Sequence, residues 1–349
     1  MIGSMTTSRP TRAATGTLYA LGAAGLFGAT TPLVKHFGEG LGAFTTAALL
    51  YVGSFLASLP RGSASANELG RRHGPRIAVA ALLGACIAPA LFAWGLVRIS
   101  GGAGSLLLTS ETVATVILAR LVLGERIGAR VGLAVVLILV GAAILAGVDG
   151  RANVGGAIAI VLATVAWATD NVITRPLADV DSVGVVRWKS ALGAALSTAI
   201  ALGREGVPRV TFVAAACLLV AGALGYGLSL RAYLAAQVRV GAARTGSVFA
   251  VAPFVAALAS SIVAWETPPT SLFVAAVPIA IGVWIHATER HAHRHRHAAE
   301  EHDHAHTHDD GHHDHVHDPP FVGEHRHPHA HAEIEHAHDH DDAHHGHEH

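Results

Sequence analysis

Charge is what this chain has least of. Only 14% of its 349 residues are Asp, Glu, Lys or Arg, against about 25% in an ordinary soluble domain. Half of the chain is apolar (51%). Such a composition cannot build the usual water-facing surface, and it points to a membrane protein. Cysteine is scarce as well. Cys86 and Cys217 are the only two, both inside apolar runs and with no CxxC pair. That excludes a cysteine metal cage and argues against structural disulfides. Enzyme signatures are missing: there is no GxxxxGK[ST] phosphate loop, no HExxH and no GxSxG. The chain is therefore read as a non-enzyme that requires no cofactor, and ATP-driven work would need another subunit. No nucleic-acid partner is expected. Residues 1–16 are polar, with Arg9 and Arg12, and the apolar run after them is long enough to span. It is expected to be a retained first helix rather than a cleaved leader.

The charge that is present is divided. Residues 289–349 hold 23 of the 26 histidines, 15 acids and four arginines, near −11 with neutral histidine. Residues 1–288 hold 20 basic and 10 acidic residues, near +10. The chain thus splits into a basic apolar part and an acidic, histidine-rich tail.

A spanning helix needs about 20 mostly apolar residues. Ten segments qualify: 17–36, 41–60, 77–97, 103–123, 128–148, 155–174, 183–203, 210–235, 243–265 and 269–287. The longest connection, "RGSASANELGRRHGPR" (61–76), reads as a polar, basic loop. With the N-terminus inside, most arginines fall on the inner side, while Lys35, Arg98, Arg151, Arg204 and Arg209 fall outside. The arginine bias places both termini in the cytoplasm.

The chain also repeats itself. "RISGGAGSLLLTSETVATVILARLVLGE" (98–125) parallels "RVGAARTGSVFAVAPFVAALASSIVAWE" (239–266), offset by 141, and "LFGATTPLVK" (26–35) parallels "AWATDNVITR" (166–175), offset by 140. This is a duplicated five-helix unit. Five is odd, so the second copy enters the membrane inverted, a signature of secondary transporters with a site near mid-membrane. The expected fold is an all-α membrane protein of ten transmembrane helices in two inverted five-helix repeats, with a disordered tail. The expected divisions are an N-terminal segment (1–16), repeats over 17–148 and 149–288, and the tail (289–349).

With its small-residue fourth helix ending in "LGE" or "AWE" and a fifth helix running "GLAVVLILVGAAIL", the duplicated unit resembles the drug/metabolite transporter superfamily, EamA type. The resemblance covers about 17–287. It implies ten helices, cytoplasmic termini, and export or exchange of small organic solutes. The family often has a proline midway along the fourth helix of each unit. Pro253 fits; the first copy has Thr112 there, preceded by Ser110 and Glu111.

Ionisable residues inside spans are costly and point to function. Glu111 sits about eight residues into helix 4, ~12 Å deep at ~1.5 Å per residue. It reads as a proton-coupling or substrate-binding carboxylate, against a packing role. Asp170 and Lys189 lie at matching depths, so an ion pair is plausible, with Asn171 adjacent. Arg187 is shallower and expected to snorkel, and Lys35 to anchor a helix end in head groups. Trp94, Trp167, Tyr226 and Pro253 are candidates for the walls of a pocket. Gly22, Gly25 and Gly28, like Gly222 and Gly225, are read as helix-packing stripes.

The tail is low in complexity and too polar to bury a core, so it is expected to be disordered. Its densest string, 302–318, carries His302, His304, His306, His308, His312, His313, His315 and His317 among aspartates. Imidazoles on alternating positions can pair around Zn²⁺, Ni²⁺ or Co²⁺. Three functions follow: a secondary-active exporter of a small organic metabolite, such as an amino acid, with a metal-binding tail; a divalent-metal exporter whose tail gathers ions; or a membrane-tethered metal store or sensor. The expected partners are the bilayer of the inner (plasma) membrane, a small-molecule substrate and divalent metal ions.

Overall fold

The computed structural model describes residues 12–59, 66–111, 113–114, 117–118, 129–148, 153–240, 242–264, 270–287, 292–297, 300–306, 325–331 and 334–339. The chain divides into two units, Met1–Thr288 and Glu289–His349.

Among the described residues, the regular structure of the first unit is helical. Its elements are α1 (Arg12–Gly38), α2 (Ala43–Ser58), α3 (Ala66–Ala80), a π-helical segment π1 (Ala81–Ile87), α4 (Ala88–Leu96), α5 (Gly101–Leu107), α6 (Ala129–Val148), α7 (Val154–Arg204), α8 (Phe212–Ala221), π2 (Gly222–Leu228), α9 (Ser229–Val240), α10 (Ala242–Phe249), α11 (Ala252–Ala264) and α12 (Thr270–Ala287). All ten expected spans meet helix among the described residues. Among the described residues, four helical stretches are long and apolar enough to cross a membrane: Ala14–Gly38, Glu68–Leu96, Val154–Thr174 and Phe212–Val240. Helices suit such sequences because lipid offers no partner for a backbone N–H or C=O. The outer surface is apolar: Leu139 is 50% exposed, Ile262 65% and Trp284 63%. Serines and threonines such as Ser54, Ser190 and Thr30 are buried instead. This is an integral membrane protein.

Two boundaries differ from expectation. The stretch 61–76 is not all loop: helix begins at Ala66, where Glu68 and Arg72 pair at 2.7 Å one turn apart. The spans 155–174 and 183–203 are continuous in α7, broken only at Asp181, whose backbone is extended (φ −163°, ψ 92°). The Asp181 side chain accepts from the Gly184 N–H at 2.9 Å, capping the second half of α7.

The two repeats hold each other reciprocally. π1 and π2 are offset by 222 − 81 = 141 residues, the same offset found between the parallel sequences. Gly84 of π1 packs against Asp170 of α7, and a Cβ on it would collide with the carboxylate. Gly225 of π2 packs in the same way against Thr30 of α1. Thr30 and Asp170 are themselves offset by 140. Each repeat thus gives its third helix to the other's first helix, the contact pattern of a two-fold axis. Phe27 and Trp167, also offset by 140, meet edge to face at 6.0 Å.

The second repeat grips α2 at both ends. Glu205 accepts from the N–H groups of Phe44 (2.9 Å) and Thr45 (3.0 Å) and from the Thr45 hydroxyl (2.7 Å). At the other end Arg187 donates to Ser58 O (2.7 Å) and Arg231 to Ala57 O (3.2 Å). An anion at the N-terminus and cations at the C-terminus complement the helix dipole. Arg187 thus donates to the C-terminal end of α2. Lys35 is likewise turned inward, donating to Ile99 O at 2.6 Å. Of the first glycine stripe only Gly28 is a packing position, facing Ala252 O; Gly22 and Gly25 have open space.

The tail is described as backbone only. Ala292–His297 pairs antiparallel with Ile334–Asp339, and Glu300–His306 with His325–His331. Antiparallel strands satisfy their backbone groups through each other, so this pairing does not require a buried core.

Candidate functional site

Between the repeats lies a cavity of about 70 Å³, room for several waters. It is lined from both halves of the chain, by α1, α2, the fourth helix of each repeat, α7, π2 and α9. The fourth helices are broken: α5 ends in a turn at 108–109, and α10 is separated from α11 by a turn at 250–251. The first copy breaks although it has Thr112 where the second has Pro253. The helix resumes at 110–111, so Glu111 sits at the N-terminal end of a half-helix, where the dipole favours a carboxylate.

Four of the expected polar residues converge here. Glu111, Asp170, Asn171 and Lys189 all line the cavity. Asp170 and Lys189 are 1% and 4% exposed and form an ion pair through Asp170 Oδ2 and Lys189 Nζ. The Asn171 amide donates to Glu111 Oε1 at 2.9 Å. Among the described residues, Asp170 Oδ1 is buried and has no hydrogen-bond partner. Removing one member of such a buried pair is costly, because the other charge stays behind in a medium that cannot solvate it.

Of the expected pocket walls, Trp167 and Tyr226 line the cavity and Trp94 and Pro253 do not. Trp94 is on the outside, 38% exposed, with the Arg98 guanidinium stacked 3.7 Å over its ring. Pro253 is buried beside Ala252, whose carbonyl faces Gly28 of α1. Four further aromatics complete the wall: Phe27, Tyr51, Tyr233 and Phe249. Three of the chain's four tyrosines are therefore at this site. That concentration was visible in the sequence only as tyrosine inside apolar runs, where a hydroxyl needs a partner.

The π-helical segment π1 supplies one such partner. Its wider turn exposes the Gly84 carbonyl, which accepts from Tyr51 Oη at 2.7 Å and from Trp167 Nε1 at 3.0 Å. Pro89, just beyond π1, offers no N–H to the residue four back, yet π2 forms with no proline in or just after it, so proline is not required for the irregularity. Departures of this kind recur at functional sites. Here two wall aromatics and Asp170 are all set by one residue of π1.

Of the tail histidines, His302, His304 and His306 lie on a described strand. His308, His312, His313, His315 and His317 fall outside the described residues. Among the described residues no group of three His, Cys, Asp or Glu side chains could hold a metal ion.

Comparison with known proteins agrees with the duplication. Residues 14–147 and 154–288 each match the EamA-like transporter family. The chain is 30% identical over 191 residues to PA1977, an uncharacterized protein of Pseudomonas aeruginosa. That match covers 53% of this chain and 66% of the relative, just under two thirds of its length. One solved crystal structure, of a protein with no stated activity, superposes with a TM-score of 0.60 at 19% identity. It covers 77% of this chain and 95% of its own, and at that identity the likeness is one of fold.

Proposed function

The chain belongs to the EamA-like transporter family, and on that premise we propose that it is a secondary-active exporter of a small organic metabolite in the inner membrane with both termini in the cytoplasm. The observation that supports this most is the cavity itself. It joins a buried ion pair, a second carboxylate and a wall of aromatic rings at the junction of two reciprocally packed repeats. Aromatic walls hold the apolar part of a solute, and a few convergent polar groups fix its orientation.

In this reading Glu111 couples flux to a proton gradient. Protonated, it keeps its hydrogen bond with Asn171; deprotonated, it offers a negative charge to the solute or to an incoming proton. Rocking of one repeat against the other about the shared contacts exposes the cavity alternately to the two sides. The reciprocal Gly84–Asp170 and Gly225–Thr30 contacts are the natural pivots.

The tail binds Zn²⁺, Ni²⁺ or Co²⁺ on the cytoplasmic side and is accessory to transport. Among the described residues, the cavity offers two carboxylates but no histidine or cysteine, a poor ligand set for these metals. The test is flux in oriented vesicles, for the whole chain and for a form ending at 288. Amino acids and related solutes are compared with Zn²⁺, Ni²⁺ and Co²⁺. Organic flux that survives loss of the tail supports the reading. Metal flux alone, lost with the tail, favours the metal exporter.

A further inference from the structure

The polar lining of the cavity is unevenly matched. Among its described residues there are two carboxylates, Glu111 and Asp170, and one ammonium, Lys189. With all three ionised the formal sum is −1. The ammonium is committed to Asp170 Oδ2, while Asp170 Oδ1, on the same buried carboxylate, is an acceptor with no donor among the described residues. The unmet need in the cavity is for a donor carrying positive charge.

The rings answer to the same sign. Phe27 meets Trp167 at 6.0 Å, Tyr226 at 5.7 Å and Phe249 at 5.9 Å; Tyr233 meets Phe249 at 5.1 Å. An aromatic ring attracts a cation through its face, and six rings line this cavity. A carboxylate brought into this space would meet two like charges. To gain an ion pair it would have to take Lys189 from Asp170.

From the orphan acceptor, the charge count and the rings together, we propose that the substrate is a small organic amine, recognised by its protonated nitrogen, and that an α-carboxylate on the same molecule is selected against. The nitrogen donates to Asp170 Oδ1, lies near Glu111 and is covered by the Phe27 cluster. The proposal rests on the cavity being the transport site and narrows the class of solute that enters it.

The test uses the whole chain in proteoliposomes and three matched sets of probes. Phenethylamine, phenylalanine and phenethyl alcohol share a side chain and differ in the polar end, as do isoamylamine, leucine and isoamyl alcohol, and tyramine, tyrosine and tyrosol. Each is measured for binding and for counterflow. The amine of each set is expected to bind roughly tenfold or more tighter than its amino acid and its alcohol, the worth of one charge-assisted contact. In Phe27→Leu, amine binding should fall by roughly three- to thirtyfold, the range for a cation held on a ring, and alcohol binding by distinctly less, since the alcohol loses only apolar contact. Glu111→Gln should give the same split. A merely misfolded variant would lose both ligands together. Amino acids binding as tightly as their amines, or no amine binding at all, would overturn the proposal. Amino acid flux without amine flux would do so while leaving the organic exporter standing, whereas metal flux alone would remove both.

Discussion

Gly84 in one repeat lies so close against Asp170 in the other that no side chain could stand between them. The same glycine offers its carbonyl to Tyr51 and Trp167. One residue without a side chain therefore sets the buried carboxylate and two aromatic walls of the cavity.

Gly84→Ala should consequently displace Asp170 and abolish flux, with a stability loss of about 1–3 kcal/mol from overpacking. Gly225→Ala, its counterpart against Thr30, should cost stability on the same scale. Thermal unfolding in detergent together with vesicle flux checks both. Normal flux in Gly84→Ala would mean that Asp170 need not stay where it is.

The Asp170–Lys189 pair predicts a non-additive cycle. Lys189→Met leaves a buried carboxylate without its cation and should destabilise by about 3–5 kcal/mol. Asp170→Asn should be comparably harmful. The double variant should be more stable than either single one, yet inactive in flux. Additive losses on denaturation would show that the two charges do not depend on each other.

Glu111→Gln keeps a carbonyl oxygen where Asn171 donates, so folding should survive. Flux driven by a proton gradient should vanish. Unchanged gradient-driven flux would reduce Glu111 to a packing role.

Glu205 lies far from the cavity in sequence and caps α2 with three hydrogen bonds. Glu205→Ala should lower stability by roughly 1 kcal/mol, as for a lost N-cap, and leave the order of preference among solutes unchanged. Differential scanning of the purified protein, with the flux panel alongside, measures the two effects separately.

For the tail, calorimetry on 289–349 at about pH 7.5 should show uptake of Zn²⁺, fading as histidine is protonated near pH 5.5. No heat of binding at the higher pH would remove metal from the account.

The helices were legible because a run of some twenty apolar residues has few other fates, and the duplication was legible because "LFGATTPLVK" and "AWATDNVITR" can be laid side by side. The charged pair was legible from the expected spans alone, which put Asp170 and Lys189 at matching depths, and the two do pair. Convergence was not. Tyr51 reaches a carbonyl 33 residues away, and Glu111 meets Asn171 across 60; no local pattern encodes such meetings. Trp94 and Trp167 look alike in sequence, yet one faces outward under Arg98 and the other faces the cavity. The π-helical segments left only Pro89 and a glycine-rich "GALGYGL" as traces. Arg187 and Lys35 looked like lipid anchors because the carbonyls they donate to, those of Ser58 and Ile99, are distant in sequence.

The most direct test of the central claim is gradient-driven flux of organic solutes by the whole chain in oriented vesicles, measured beside Zn²⁺ and repeated with Glu111→Gln. The account predicts that an organic solute moves, that an imposed proton gradient drives it, and that Glu111→Gln stops it. Movement of Zn²⁺ with no movement of any organic solute would contradict it.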